Sequence, residues 1–553
     1  VTELVVSVPA KRVSAWSVET NPKYARAWLA SLSPVDNSES ARELYQSLFA
    51  LNRMDLDAAQ RFELMGLYRV PLQEAVASFQ PLFSRVSFPM PVKLRQLAEF
   101  ICQLHLEMAH GYKLCVQDIS KHWFPWRRRQ LLAPCTERAL RHLGEVMLQS
   151  YRSYLPHPAG VWRDAHGLYR FAEHYGREKE TVKIEDEGGI TGVSVSQRYR
   201  RLLMLGIANP YQMPFNECQT VYRFLGRWIE QVGLDRMVMR ADSTGCFLID
   251  PTTDAPPPAL GRAVSSTNTD LRVLDASELV RTLHVFLRRL ERGEAAADLQ
   301  LGVDCLDSAC HDMLQRLHRG YAQTTSRRHS RIKRHETVSV CAGVAAMHFF
   351  VSDLKPLTGA GVGADAPFRL DDVSAALEKN DEAYVALDEP HDAPAPVRSD
   401  TYRIDRWQVH DVSPQGLLLS QDGEPSVRFR VGDALGVQRS NTVGQWSVGI
   451  VRWFRAQGTK GVEVGVELIS PDAAPVSLRA AGDSEAVAAP ALMLPPVEAA
   501  HRPASVLAPR GVLLVGKDFF LTARDRTVRR VRILDAIERT GSIEQVIVGN
   551  VID

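Results

Sequence analysis

Over residues 38–322 the apolar positions recur mostly at helical spacing. Leu44, Leu48 and Leu51 share one face, and a second helix is predicted over 57–70, with Pro71 and Pro81 interrupting the next segment. Leu94, Leu97, Ile101, Leu104 and Met108 mark the clearest amphipathic helix, and Leu140, Leu143, Met147 and Tyr151 mark another. Further helices are predicted over 169–175, 194–205, 215–232, 276–292 and 303–321. Two stretches break the rhythm. Residues 4–9 form a strand-like apolar run, and 236–240 with 246–250 read as the arms of a β-hairpin. No fixed period is strong enough to indicate a repeat array.

Beyond residue 336 the period changes to two. Thr337-Val338-Ser339-Val340-Cys341 and Leu417-Leu418-Leu419 read as strands, and a short strand is predicted over 434–438. Trp446, Val448 and Ile450 alternate, as do Val462, Val464, Val466 and Leu468, across a glycine-containing hairpin loop at 456–461. Closing such a sheet into a barrel removes its edges. Between the first two strands lies a long insertion, 352–400. It holds a Gly-rich run (358–365), a helical segment (371–380) and a Pro/Asp-rich stretch (388–397). Residues 476–505, rich in Ala and Pro, read as a linker. The β-like tail 506–553, with one helical turn near 533–539, is too short to fold alone and is expected to dock elsewhere on the chain.

The predicted fold is therefore multidomain α+β. A mainly helical region (1–322, with the hairpin near 236–250) precedes an antiparallel β-barrel (323–475, carrying the insertion); the linker and a small β-rich tail complete it.

Two polar motifs flank the first barrel strands. Arg327-Arg328-His329-Ser330-Arg331 carries R-x-x-x-R, and Asp411-Val412-Ser413-Pro414-Gln415-Gly416 carries D-x-S-x-x-G. Guanidinium groups pair bidentately with phosphate or with the O6/N7 edge of guanine, and stack on bases. A carboxylate accepts from a guanine's ring N–H and exocyclic amine, Ser413 adds a hydroxyl, and Gly416 permits a turn or close backbone approach. Taken singly, the arginine run is an ordinary solvated linker and the second motif an Asx turn.

In that order and beside barrel-like strands, the pair resembles the ligand signature of PilZ domains, over about 315–475. The resemblance implies a six-stranded barrel that binds the bacterial second messenger cyclic di-GMP, with Arg327, Arg328, Arg331, Asp411, Ser413 and Gly416 as ligand contacts. It implies a bacterial receptor with no catalytic residues and no cofactor, whose helical region meets a protein partner. Ligand would order the 327–334 segment and reorient the helical region. The insertion separates the motifs more widely than is usual in the family. That motivates an alternative, an interaction scaffold whose barrel mouth is occluded by 358–397.

Composition narrows the function classes. With 553 residues, 45% hydrophobic and 24% charged, the chain is an ordinary globular protein of several domains. Its formal net charge of +1 gives no global pull toward nucleic acid or membrane. No apolar run reaches the length of a spanning helix, no secretory leader is evident, and eight cysteines lack a disulfide rhythm. A cytoplasmic location is expected. Cys102, His105, His110 and Cys115 lack the tight pairing of a zinc site, as do Cys305, Cys310 and His311, so no metal is predicted. Trp123 to Arg129 has the aromatic and basic composition of a nucleic-acid patch, but equally that of a helix start, and nucleic acid is not expected. Gly359 to Gly363 and Gly511 to Lys517 miss the phosphate-loop spacing or its magnesium-holding hydroxyl. Neither hydrolase nor kinase motifs occur, and Glu187-Gly188-Gly189-Ile190 is not the motif of a diguanylate cyclase.

Overall fold

In a computed structural model of the protein, the described residues are all except 1–3, 13–15, 33–36, 85, 122–129, 187–188, 237–243, 261–269, 300–306, 323–330, 353–401, 424, 440–444, 458–460, 482–486, 499–500, 514–516 and 552–553. The chain divides into two compact units. One comprises Val1–Val86, Val92–Pro210 and Asn216–Ser326; the other comprises Ser87–Pro91, Tyr211–Phe215 and Arg327–Asp553.

The first unit is mainly helical. Its early helices are α1 (Pro22–Ser31), α2 (Asn37–Leu51), α3 (Ala58–Phe79), α4 (Val92–Lys121) and α5 (Leu132–Arg152). The later ones are α6 (Val161–His174), α7 (Val195–Ile207), α8 (Glu217–Trp228), α9 (Ser277–Glu291) and α10 (Asp307–Ala322). Side chains fix several starts: Asp57 accepts from the Ala59 and Gln60 N–H groups of α3, and Ser194 with Gln197 forms a capping box on α7. The long helices α4 and α5 bury Leu104, Met108, Leu140 and Leu143 completely. Helix α3 runs on through Pro71, where a break was expected; burial of Leu64, Tyr68, Leu72 and Ala75 outweighs the lost backbone hydrogen bond.

The strand-like run at 4–9 pairs with no strand among the described residues. It lies along α6, where Ser7 N–H donates to Asp164 Oδ1 (2.7 Å), and Asp164 Oδ2 accepts from the buried Lys113 ammonium (2.5 Å). A hairpin of β1 (Thr181–Asp186) and β2 (Gly189–Ser194), which was not anticipated, precedes α7. Of the hairpin expected near 236–250, residues 237–243 lie outside the described residues. Strands β3 (Gly233–Arg236) and β4 (Cys246–Ile249) both pair with β5 (Arg272–Asp275), which lies between them. Strand β4 is buried along its whole length, and β5 supplies apolar Val273 and Leu274 opposite it.

In the second unit, β6 (Ile332–Ala342), β7 (Asp405–Ser413), β8 (Gly416–Gln421), β9 (Ala434–Arg439), β10 (Ser447–Ala456) and β11 (Val462–Ser470) close into a barrel. Strand β6 begins at Ile332, so the end of the basic stretch read as a linker is strand. A short apolar helix, α11 (Val344–Val351), follows β6.

A second closed barrel stands where a linker and a docked tail were expected. It consists of β12 (Ala474–Ala480), β13 (Ala489–Leu494), β14 (Ser505–Pro509), β15 (Asp518–Thr522), β16 (Val528–Arg539) and β17 (Ile543–Asn550). Residues 476–505 thus carry strands, and 533–539 belong to β16 instead of forming a helical turn. The physical reason is that β15 to β17 alone cannot enclose a core. Strands β12 to β14 complete it with Val476, Leu478, Ala491 and Val506. Both barrels have the same connectivity. Counted from each barrel's own start, the first strand lies between the second and fourth, the third between the second and sixth, and the fifth between the fourth and sixth.

The two barrels share apolar packing. Met347 of α11, Trp446 and Ile450 of the first barrel and Leu492, Leu507 and Ile543 of the second belong to one buried cluster. Arg452 ties them further, donating to Glu467 (2.8 Å) and Glu538 (2.8 Å). The Ser87–Pro91 segment joins this unit through Phe88, which exchanges backbone hydrogen bonds with Phe429 (3.0 and 2.7 Å). The buried Phe88 ring lies 5.6 Å from those of Phe215 and of Phe454.

Candidate functional site

The two polar motifs meet at one rim of the first barrel. Strands β6 and β7 pair antiparallel, with Ile332 opposite Val412 and Lys333 opposite Asp411, so the chain entering β6 runs beside the end of β7. Arg331 Nη1 donates to Asp411 Oδ2 at 3.0 Å, with 43% and 19% of the two side chains exposed. A pair this open to water is worth roughly 0–1 kcal/mol, so both groups are held near each other yet exchange partners cheaply.

A bulge brings Asp411 to that rim. Trp407 and Val409 point into the barrel, and strict alternation would send Asp411 inward after them. The register against β8 slips between Val409 and Asp411, leaving His410 as the extra residue, and that against β6 slips between Lys333 and Glu336. His410 Nε2 meets Ser420 Oγ at 2.6 Å, and its ring stands edge-on to His335, 6.1 Å away.

Ser413 and Gly416 are the last and first residues of β7 and β8 and pair across a two-residue turn, Pro414-Gln415. Ser413 Oγ donates to the Gly416 carbonyl (3.4 Å), and Leu468 N–H donates to Gln415 O (3.0 Å). Gly416 is required by proximity, since a Cβ there would stand 3.0 Å from the Val466 carbonyl oxygen of β11.

The fold therefore brings together Arg331, Asp411, Ser413 and Gly416 from the predicted set; Arg327 and Arg328 lie outside the described residues, as do the 358–397 stretches of the insertion. Sequence reasoning missed Lys333, opposite Asp411, and His410 at the bulge. Only the strand register reveals either, because a bulge leaves no fixed mark in residue types.

Other candidates carry less. Among the described residues no cluster of His, Cys, Asp and Glu is placed to hold a metal. His105 Nδ1 instead meets His142 Nδ1 at 3.2 Å, and Cys102 Sγ lies 3.7 Å from Ser150 Oγ, all buried. Burial pushes the Cys102 thiol up to about 12, so it is not a reactive thiolate. Six of the described cysteines are free and buried, while Cys310 is disulfide-bonded although the cysteine spacing shows no disulfide rhythm. Gly511 sits in the turn after β14 with φ +85°, and Asp518 engages Arg530 (2.9 Å) and Arg532 (2.7 Å). Residues 122–129 and 359–363 lie outside the described residues. No helix among the described residues is long and apolar enough to cross a membrane.

Comparison with known proteins identifies the first barrel. A family model described as "Cyclic-di-GMP receptor FimW, middle PilZ domain" matches residues 246–367 and 364–475. Its companions match on either side, the FimW N-terminal domain over 23–238 and the FimW C-terminal beta-barrel domain over 476–548. The first barrel is a PilZ domain. The middle-domain match of this PilZ protein begins at Cys246, far upstream of β6, and the third match spans the second barrel. A curated relative, the cyclic-di-GMP receptor FimW of Pseudomonas aeruginosa strain PAO1, is 27% identical over 523 residues, covering 89% of this chain and 84% of that protein. No solved structure matches the chain. The middle-domain model and the curated relative are described as cyclic-di-GMP receptors.

Proposed function

We propose that this PilZ protein is a non-enzymatic, cytoplasmic bacterial receptor for cyclic di-GMP. The ligand seats at the β6–β7 rim on Arg327, Arg328, Arg331, Asp411, Ser413 and Gly416. The observation that carries the reading is the 3.0 Å Arg331–Asp411 pair, which joins two motifs lying far apart in sequence. In the free protein the carboxylate and guanidinium partly neutralise each other. Ligand replaces that weak contact: Asp411 accepts from a guanine edge, and Arg331 turns to a phosphate or to the O6/N7 edge. Each exchange trades a solvent-screened pair for charge-assisted hydrogen bonds.

The relay runs through the core of the barrel. Trp407 lies on β7, the strand that carries Asp411; its ring is 5.6 Å from Phe429, which stands 6.0 Å from Phe454 and is hydrogen-bonded through its backbone to Phe88. The segments bearing Phe88 and Phe215 continue on both sides into the helical region. A shift of β7 on ligand binding is therefore felt where the chain leaves the barrel for α4 and α8, and the helical region presents the change to a protein partner.

Calorimetric titration with cyclic di-GMP tests the assignment. Arg331→Ala and Asp411→Ala should each weaken binding by roughly 10- to 100-fold, the worth of a charged hydrogen bond, with unchanged circular dichroism. In the wild type, ligand should also alter hydrogen exchange over 87–91. Full affinity in the double variant sinks the site; unchanged exchange at 87–91 with normal binding sinks the relay alone. Silence of the wild type toward the ligand, persisting after deletion of 358–397, favours the non-binding scaffold.

A further inference from the structure

The second barrel repeats the connectivity of the first but carries neither R-x-x-x-R before its first strand nor D-x-S-x-x-G between its second and third. Its outward surface offers a different chemistry. On β16, Val531 and Ile533 point inside (4% and 5% exposed), so Val528, Arg530, Arg532 and Leu534 share the outer face. Val528 and Leu534 are 58% and 65% exposed, and Ile537, further along the strand, is 43% exposed. Around the β15–β16 turn the exposed Arg524 and Arg526 extend the charge, and Arg479 on β12 adds to it. Three carboxylates stand against these arginines: Asp518 is engaged by Arg530 and Arg532, Asp525 accepts from Thr527 N–H (3.0 Å), and the exposed Asp535 beside Leu534 accepts from Ala536 N–H (2.8 Å).

We propose that the outer face of the β15–β16 hairpin is a peripheral docking surface for an anionic lipid bilayer. A closed barrel has no free strand edge, so backbone pairing with a peptide is not on offer, and recognition falls to side chains on a convex surface. Guanidinium groups bracketed by exposed aliphatic side chains suit a plane of phosphates over an acyl layer: the arginines meet headgroups while Val528 and Leu534 enter the boundary. Single-stranded nucleic acid suits the face less well. Its aromatic, Phe520, is half-buried, and the Arg479 guanidinium already lies over the ring, 5.5 Å from its centroid.

Flotation of the full chain with vesicles of mixed phosphatidylglycerol and phosphatidylcholine, against pure phosphatidylcholine, tests this. The wild type should float with the anionic vesicles only, and added salt should weaken the association. Arg524→Glu with Arg526→Glu should lower partitioning by at least roughly tenfold, and Val528→Ser with Leu534→Ser should lower it by a comparable factor. Both double variants should keep the cyclic di-GMP response of the wild type, showing that the chain folds. Arg331→Ala should still float, so loss of the ligand site leaves this surface standing. Failure of the wild type to float with anionic vesicles overturns the proposal, as does flotation that survives the arginine reversals. Binding to a single-stranded oligonucleotide that those reversals abolish, without vesicle binding, would assign the face to nucleic acid instead.

Discussion

At the scale of single residues, the rim combines replaceable contacts with one that is not. The Arg331–Asp411 pair is half open to water and contributes little to folding. Gly416 is different: the Val466 carbonyl that a new Cβ would meet at 3.0 Å belongs to the β8–β11 ladder, where Val466 pairs with Leu417. Gly416→Ala should therefore force the β7–β8 hairpin away from β11, costing about 1–3 kcal/mol of stability. A lower urea midpoint together with weaker cyclic di-GMP binding would be the expected pair of readings. A variant with wild-type stability would mean that the glycine is not held by packing. At this scale the residue types were legible and their surroundings were not. Arg331, Asp411, Ser413 and Gly416 were expected from chemistry and order and lie at one rim, whereas Lys333 and His410 come to that rim only through the strand register.

At the scale of elements, legibility followed the strength of local periodicity. Helices α4 and α5 and strands β10 and β11 were visible because many apolar positions agreed on one period. The β1–β2 hairpin was missed although Thr181 to Glu185 alternates polar and apolar residues, because the flanking helical patterns dominated the reading. Strand β5, which pairs with both β3 and β4, was missed because it lies beyond the residues a 236–250 hairpin reading considers. Helix α11 was missed too: Val344 to Val351 is apolar on nearly every side, so no face stood out.

That helix also gives the protein a pH response. Burial holds the His348 imidazole down at about 4, against a weaker upward pull from a backbone hydrogen bond at Val476. The unfolded chain, titrating near 6.5, takes up the proton first as pH falls. Stability from this residue is thus complete above about pH 6.5, is lost progressively down to about pH 4, and levels off below. By pH 5 the loss should reach about 2 kcal/mol. Comparing urea midpoints of the wild type and His348→Leu between pH 7 and 5 checks this. The variant should show the shallower slope, since the lost hydrogen bond shifts its stability by a constant amount. His166 in the helical unit, also held at about 4 by burial, retains its own share of the slope in both proteins.

At the scale of the whole molecule, sequence reading located one barrel and mistook half of the other for a linker. Ala- and Pro-rich strands such as 489–494 look like spacers until their Ala491, Leu492 and Leu494 are seen buried against partners. The two barrels are not independent beads. Leu492, Leu494, Leu507 and Ile543 of the second join Met347, Trp446, Val448 and Ile450 in one cluster. Stripping away such aliphatic side chains costs about 2–5 kcal/mol each, and several together rival the 5–15 kcal/mol that holds a typical domain folded. A chain cut after residue 475 would keep every predicted ligand contact yet bare the α11 and Trp446 face to water. It should accumulate as aggregate, or bind a hydrophobic dye and melt well below the full chain. Adding back residues 476–553 as a separate polypeptide should restore solubility if the pieces find each other. A soluble, cooperatively melting 1–475 fragment with full cyclic di-GMP affinity would show that the shared cluster contributes little and that the first barrel is a self-sufficient receptor.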